Sequence, residues 1–457
     1  MVVALAIPPA AAQTATGNIR GTVVDASEAV VANVAITLSN ASTGLRRRVM
    51  TNDRGDFDAP FMPPGEYQIS AELTGFQRKV VTGISLQVDQ TAVLRIVIEP
   101  GAVTQTIEVT SAAPLLDAQT SSLGQIIENK RIVDLPLNGR NPFMLGLLAG
   151  GTTPFKGLNT NIPFIAGGGR HSGNDILLDG VDDNIRNFGG DVGRNGISYI
   201  PSVDAVQEFK VKTNNFAAEY GRSSGYTVNA TIKSGSNELH ASLFEFLRND
   251  KLDANNFVSN FVGQRRAPFR QNQYGATLGG PLRLPRYNGR NRTFFFVDYE
   301  GTQIRSAAGS SLSDVAPASF RRGDFSSSAR KIYDPLSRTL GPTGVVTAEL
   351  FPNNVLPPSR LDSAILKYQD LMPAPNVSGP ESTSRNFFSV SPRGTDRHQG
   401  DLKIDHRLFK DNNLMARFSM AQQYRPIQGS YIFSPREEVF HTRNAALSDT
   451  HIFSPTV

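Results

Sequence analysis

Hydrophobic and polar positions alternate one by one through Gly400–Met420, "GDLKIDHRLFKDNNLMARFSM". Leu402, Ile404, His406 and Leu408 fall on one parity, and Asp401, Lys403, Asp405 and Arg407 on the other. After the turn-prone Lys410–Asn413, Leu414, Ala416, Phe418 and Met420 alternate with Asn413, Met415, Arg417 and Ser419. A period of two marks a strand with two different faces, so the segment predicts a hairpin with an apolar face and a charged one.

Residues 17–100 carry about seven short runs of the same kind, from "GNIRGTVVD" to "TAVLRIVIEP", broken by turn clusters such as "NDRG" and "MPPG". They predict a small β-sandwich whose alternating Val34, Ile36, Leu38 and Tyr67, Ile69, Ala71 point into a core. From 101 to 236 the pattern is mixed and glycine-rich. "NPFMLGLLAGG" and "AVQEFKV" have no clean period, whereas "DILLDGVDDN" and "YTVNATIKSG" read as strand and turn.

From 237 onward strands recur: "ELHASLFEFLRN", "QYGATLGGPL", "RTFFFVDYEG", the hairpin above and, weakly, "RNAALSDTHIFS". Their spacers alternate long (250–270), short (284–291), very long (303–396), short (410–412) and long (425–442). Long and short connections at opposite ends are the arrangement of an up-and-down outer-membrane β-barrel. Leu402, Ile404, Leu414, Ala416 and Phe418 would then face lipid together with Tyr274, Ala276 and Leu278. Asp401, Lys403, Asp405 and Arg417 would face inward, because a Lys or Arg on the lipid face near the midplane costs roughly 2–4 kcal/mol. The first strand has no orientation from its pattern, since Glu245 and Arg248 sit on opposite parities.

Length and composition add limits. The 457 residues exceed one core and imply two or three domains. Hydrophobic residues are only 39%, with 40 Gly and 28 Pro, as many strands and turns require, and 27 Phe and 11 Tyr argue against a disordered chain. The absence of Cys excludes disulfides and thiolate metal sites. The net charge of +5 comes with scattered Arg residues, which gives no nucleic-acid footprint. No run reaches the roughly 18 apolar residues of a membrane helix. The start, "MVVALAIPPAAAQ", reads as the remnant of a secretory signal over residues 1–16.

Short motifs with chemical precedent fail on context. "GRSSG" matches G-x-S-x-G with Ser223 as nucleophile, but no α/β pattern and no placed His accompany it. "GGGRHSG" has Ser172 where a dinucleotide loop needs its last Gly. Asp179, Asp182 and Asp183 offer hard oxygen ligands without the spacing of a calcium loop, and read as a turn with solvated carboxylates. "RGD" at 54–56 and 322–324 is short enough to arise in any turn. The six His residues show no zinc spacing. No catalytic, cofactor or metal residue is assigned.

Three stretches carry a resemblance. "GTVVDASEAVVANVAITLSN", "TNDRGDF" and "MPPGEYQISAELTGF" resemble the carboxypeptidase regulatory-like β-sandwich. "LPLNGRNPFMLGLLAGG", "ILLDGVDDN", "VQEFKVKTNNFAAEYGRSSG" and "IKSGSNELHASLFEFLRND" resemble the plug of Oar-like TonB-dependent outer-membrane receptors. "RTFFFVDYEG", "FRRGDFS" and "FPNNVLPPSRLD" resemble the start of that group's barrel. Tyr226 and Ile232 depart from the family's usual Gly and Thr.

The resemblance implies a mainly β chain: a signal remnant (1–16), a β-sandwich (17–100), a mixed α/β plug (101–236) and the first about six strands of a truncated antiparallel barrel (237–457). Such barrels close with about 22 strands. It further implies energised uptake of an extracellular ligand across the outer membrane, no enzymatic step, and a periplasmic TonB-type energy-coupling protein. That partner would engage "TQTIEVTSAAP", whose Thr106, Ile107, Glu108, Val109 and Thr110 are the candidate coupling segment, against the readings of a plain linker or first plug strand. A structural or adhesive surface protein without transport is the alternative; a secreted hydrolase would need Ser223.

Overall fold

The structure is a computed structural model. It describes residues 16–102, 106–110, 122–155, 163–169, 173–185, 196–214, 220, 224–255, 257–261, 263, 265–377, 379, 381–409, 412–428 and 435–453. The signal-like start up to residue 15, Ser223 of "GRSSG", residues 170–172 of "GGGRHSG" and Lys410–Asp411 of the hairpin turn lie outside the described residues.

Seven strands follow from the alternation of the first hundred residues: β1 (Gly17–Asp25), β2 (Ala35–Asn40), β3 (Leu45–Met50), β4 (Asp56–Met62), β5 (Gly65–Glu72), β6 (Arg78–Leu86) and β7 (Thr91–Ile98). They form two sheets, ordered β4-β1-β7 and β3-β2-β5-β6. Val34, Ile36, Leu38, Tyr67, Ile69 and Ala71 are all buried in the common core, as the alternation requires. Each large aliphatic side chain there is worth about 2–5 kcal/mol against Ala. One charge breaks the pattern: Arg47 sits on the buried parity of β3 and donates to the Pro60 carbonyl, which answers its desolvation. The second sheet gains a further edge strand beyond residue 100, β8 (Thr106–Thr110), parallel to β6.

The central region holds β9 (Leu123–Glu128), a short helix α1 (Asn129–Asp134), the paired β10 (Thr152–Pro154) and β11 (Phe164–Ala166), β12 (Asp175–Leu178) and β13 (Val181–Asp182). The paired β14 (Asn184–Ile185) and β15 (Gly196–Ile197) follow, then β16 (Val206–Asn214) and β17 (Thr227–Ile232). A five-stranded mixed sheet runs β13-β12-β17-β16-β9, with β12 parallel to β17. Strand β17 is buried on both faces and β16 nearly so, which explains why "AVQEFKV" shows no alternation. Val228, Ala230 and Ile232 share the core with Phe143, Phe164 and Phe209.

The remaining chain forms one antiparallel sheet in chain order. Its strands are β18 (His240–Asn249), β19 (Phe269–Pro281), β22 (Thr293–Ser313), β25 (Phe387–Phe409), β26 (Asn412–Gln428) and β27 (Pro435–His451). Two small hairpins, β20 (Arg283–Leu284) with β21 (Tyr287–Asn288) and β23 (Thr339–Leu340) with β24 (Val346–Thr347), sit in its connections. The long strands shorten the expected spacers. The very long one contracts to 314–386, and the "long" spacer at 425–442 is only 429–434, because β26 and β27 pair continuously from Gln428↔Pro435. The weak run near residue 445 is therefore part of a full-length strand.

Register fixes the faces. Leu278, Val297, Leu402, Phe418 and Ala445 lie in one cross-strand row, and the large members are exposed. One residue along, Thr277, Asp298, Asp401, Ser419 and Asn444 form a row on the opposite face, followed by Phe296, Lys403, Arg417 and Ala446. The hairpin's apolar set shares a face with Leu278, and Asp401, Lys403 and Arg417 are buried on the other. The first strand is oriented as well. Arg248 points inward and donates to Asn138 at 3.0 Å, so Glu245, directly opposite Tyr274, takes the outer face.

Candidate functional site

The charged inner face is buried against the central region. Where the chain passes from one to the other, Gly235 nests against both wall strands: a Cβ there would lie 2.4 Å from the Phe295 carbonyl oxygen and 2.6 Å from that of Gly280. Any side chain would wedge the two layers apart.

Asp179 is the centre of the contact. It adopts a left-handed backbone (φ 48°), which Asp tolerates, and this conformation turns the chain between β12 and β13. Its carboxylate meets Lys403 Nζ at 3.0 Å and Arg417 Nε at 2.8 Å, all three side chains being at most 5% exposed. Lys403 also donates to the Ile232 carbonyl at 2.9 Å, and Arg417 to the Leu178 carbonyl at 3.1 Å. Two strand ends of the central sheet are thereby tied to two wall strands.

A second knot lies beside it. Tyr199 donates its hydroxyl to Asp401 at 2.7 Å, Ser202 donates to Asp298 at 3.0 Å, and Asn444 donates to Asp183 at 3.3 Å. Burial first, and then the neighbouring Asp401 and Asp298, hold the Tyr199 phenol well above its ordinary range, so it acts as a donor only. Burial likewise raises the Asp183 carboxyl well above its usual range, against the opposing pull of Arg417. Further along, the Arg140 guanidinium lies 3.7 Å from the Phe246 ring centroid and pairs with Asp204 at 2.7 Å.

The reading of Asp179, Asp182 and Asp183 as a turn with solvated carboxylates is therefore wrong for two of the three. Asp179 and Asp183 are 4% and 1% exposed and answer cations and amides of the wall. Only Asp182 is exposed, accepting from the backbone amide of Asn184 at 2.9 Å. The signal for this was available in Lys403 and Arg417, two cations on the inward parity that needed counter-charges. Sequence spacing could not find the partner, because Lys403 lies 224 positions from Asp179. Among the described residues no cluster of His, Asp and Glu is arranged to hold a metal ion.

The candidate coupling segment stands apart from this seam. Thr106–Thr110 is neither linker nor plug strand but the edge of the sandwich, its residues paired Arg78↔Thr106 through Thr82↔Thr110.

These features define a chain whose long sheet has a lipid-compatible outer face and a charged inner face packed against the central region. Residues 231–457 match the outer membrane beta barrel domain, and residues 18–99 the carboxypeptidase regulatory-like domain. The chain is 27% identical over 346 residues to the TonB-dependent transporter Oar of Myxococcus xanthus, covering 68% of this chain and 31% of that protein. It is a homologue of that transporter and an outer-membrane protein.

Solved structures similar to it include the outer membrane transporter YddB from Escherichia coli (12% identity, TM-score 0.42, 72% of this chain and 37% of that one). Another is the ferric enterobactin receptor PfeA from Pseudomonas aeruginosa (14% identity, TM-score 0.37, 67% and 33%). The chain thus spans about a third of the length of the relatives it matches.

Proposed function

We propose that the protein is a TonB-dependent outer-membrane receptor that takes up an extracellular ligand by energised transport. In this reading the central region (from β9 to residue 236) is a plug seated against the first six strands of a barrel (237–457), and the sandwich, with β8 as its edge, lies on the periplasmic side with it. The observation that carries the reading is the seam. A charged inner wall is matched by Asp179, Asp183, Tyr199 and Ser202 of a domain that is tied to it by side chains rather than built into its sheet. A purely adhesive protein has no need of such a separable insert. Loops such as 314–386 would meet the ligand outside, and a periplasmic pull would shift the plug; no bond is made or broken.

The coupling partner would be a TonB-type protein that adds a strand to Thr106–Thr110, which sits at the end of its sheet's strand order. The test places single cysteines at each of these five positions in the otherwise cysteine-free chain and asks for disulfides with cysteine variants of the TonB carboxy-terminal domain in the periplasm. Cross-links at neighbouring positions are expected. Their absence at all five would overturn the coupling assignment.

A further inference from the structure

The sandwich touches both other parts of the molecule through two turns. The β6–β7 turn grips β16: Val88, fully buried, donates its amide to the Glu208 carboxylate, and Lys210 Nζ donates to the Asp89 carbonyl at 2.7 Å. The Asp89 carboxylate forms an ion pair with Lys212 and accepts from the Tyr220 hydroxyl at 2.9 Å. The Lys212 ammonium lies 3.7 Å from the centroid of the same Tyr220 ring. The β2–β3 turn meets the rim of the wall, where the Asn237 amide donates to the Ser42 carbonyl at 2.8 Å and Gly44 abuts Asn291.

Between the two anchors the fit is open. A cavity of about 390 Å³ lies where the sandwich (Phe61, Pro63), the central region (Thr231, Ser234) and the wall (Arg407, Leu414) meet. The central-sheet face that carries Glu208, Lys210 and Lys212 also carries Thr231, Asn229 and Thr227 by direct pairing. The hydroxyls of those two threonines and both side-chain polar atoms of Asn229 are buried without a protein hydrogen-bond partner. A buried polar group left so costs about 1–3 kcal/mol, which water recovers when the face opens. The joint is made of two polar grips around a poorly filled centre, and such an interface is built to part.

We infer that the sandwich is a clasp: gripping β16 with one turn and the barrel rim with the other, it sets how readily the central domain can shift. The inference rests on the reading of that domain as a movable plug. Strand β8, the proposed handle, is hydrogen-bonded along β6, and β6 leads into the Val88–Asp89 grip. A pull on β8 would therefore load the grip before it loads the plug.

The test uses Gly44→Cys with Asn291→Cys as a ruler, because an ideal Cβ on Gly44 falls 3.0 Å from the Asn291 Cβ and these 457 residues hold no other Cys. The left-handed backbone at Gly44 (φ 66°) strains the new side chain alike in every variant, so the readout is the ratio of rates between variants. In outer-membrane vesicles, the rate of disulfide formation by this pair and the hydrogen exchange of β9 and β16 amides are followed together. Lys212→Asp, which sets two carboxylates against each other at the far anchor, should slow the disulfide and speed the exchange, each by about tenfold. Adding Asp89→Lys, which restores the pair with its signs exchanged, should bring both back. If Lys212→Asp leaves either readout unchanged, or the exchanged pair fails to recover them, the clasp is refuted. Neither readout involves a transported ligand or a TonB-type partner, so failure of the transport reading would leave these results untouched.

Discussion

The sandwich core and the seam between the central region and the wall are both buried, yet they are built on opposite principles. In the sandwich, Ile36, Leu38, Ile69 and Ile84 are fully buried among other apolar side chains, and any of them can be exchanged for a neighbour of similar volume at small cost. In the seam, Asp179, Lys403 and Arg417 are just as buried but each has one set of partners that can satisfy it. The sandwich core confers stability without demanding a unique arrangement. The seam contributes little net stability, since desolvation offsets the attraction, but it penalises every arrangement except the seated one. If the central region is the movable plug proposed above, the second kind of contact is the one that seats it in a single place.

The comparison breaks first at Asp179→Asn. Asn keeps the left-handed backbone and the shape while removing the charge, leaving Lys403 and Arg417 buried without the carboxylate they share. The expected loss is about 3–5 kcal/mol, read as a lowered denaturation midpoint. A loss below about 1 kcal/mol would mean that the seam is wet and that its specificity lies elsewhere. Replacing Ile69 by Ala should cost about 2–5 kcal/mol, and the cost should be the same in the sandwich expressed alone as residues 17–100, which should melt cooperatively. A featureless NMR spectrum for that fragment would show that it depends on the central region, against its separate core.

The two faces of the wall sharpen the contrast further. Leu402 is 46% exposed on the outer face, and Leu402→Arg should weaken folding into lipid vesicles by roughly 2–4 kcal/mol near the midplane. Its neighbour Lys403 carries a charge at no such penalty, because its side chain ends on Asp179.

Legibility in the sequence followed the same division. The hairpin of Gly400–Met420 and the strands of the sandwich could be read because each has one face on a core or on the central region and one on solvent or lipid, which imposes the period of two. Strand β16 could not, since nearly all of its residues are covered on both faces; β17, also covered on both, was legible as a strand in "YTVNATIKSG" but not by alternation. The burial of Asp179 and Asp183 in "DILLDGVDDN" was hidden because their partners lie far along the chain, Asn444 being 261 positions from Asp183. The place of Thr106–Thr110 on the sandwich was equally hidden: a five-residue strand can join any free edge, and its own residues do not say which.

The smallest effect expected is a pH dependence of the clasp. Burial, aided by the like charge of Glu128 on β9, raises the Glu208 carboxyl to about 7, while the Val88 amide and Lys210 oppose the rise. Asp89, Lys212 and Tyr220 are the other titratable groups at this anchor. A freely exposed Glu208 would titrate at its ordinary value of 4.5, so the docked form binds the proton more tightly than the undocked one. Below about 4.5 both forms are protonated and docking is strongest; as pH rises towards 7, docking releases that advantage, and above 7 it is weakest and flat. The slope between those limits is at most about tenfold per pH unit for one proton, and solvent entering the open joint will reduce it. Disulfide formation between Gly44→Cys and Asn291→Cys, corrected for thiolate fraction with an exposed cysteine pair, should therefore slow as pH goes from 5 to 7.5. Glu208→Gln, which keeps an acceptor for the Val88 amide and cannot ionise, should hold the rate level across that range. A slope that survives in Glu208→Gln would assign the titration to another group and leave Glu208 as a fixed, uncharged hydrogen-bond acceptor of the clasp.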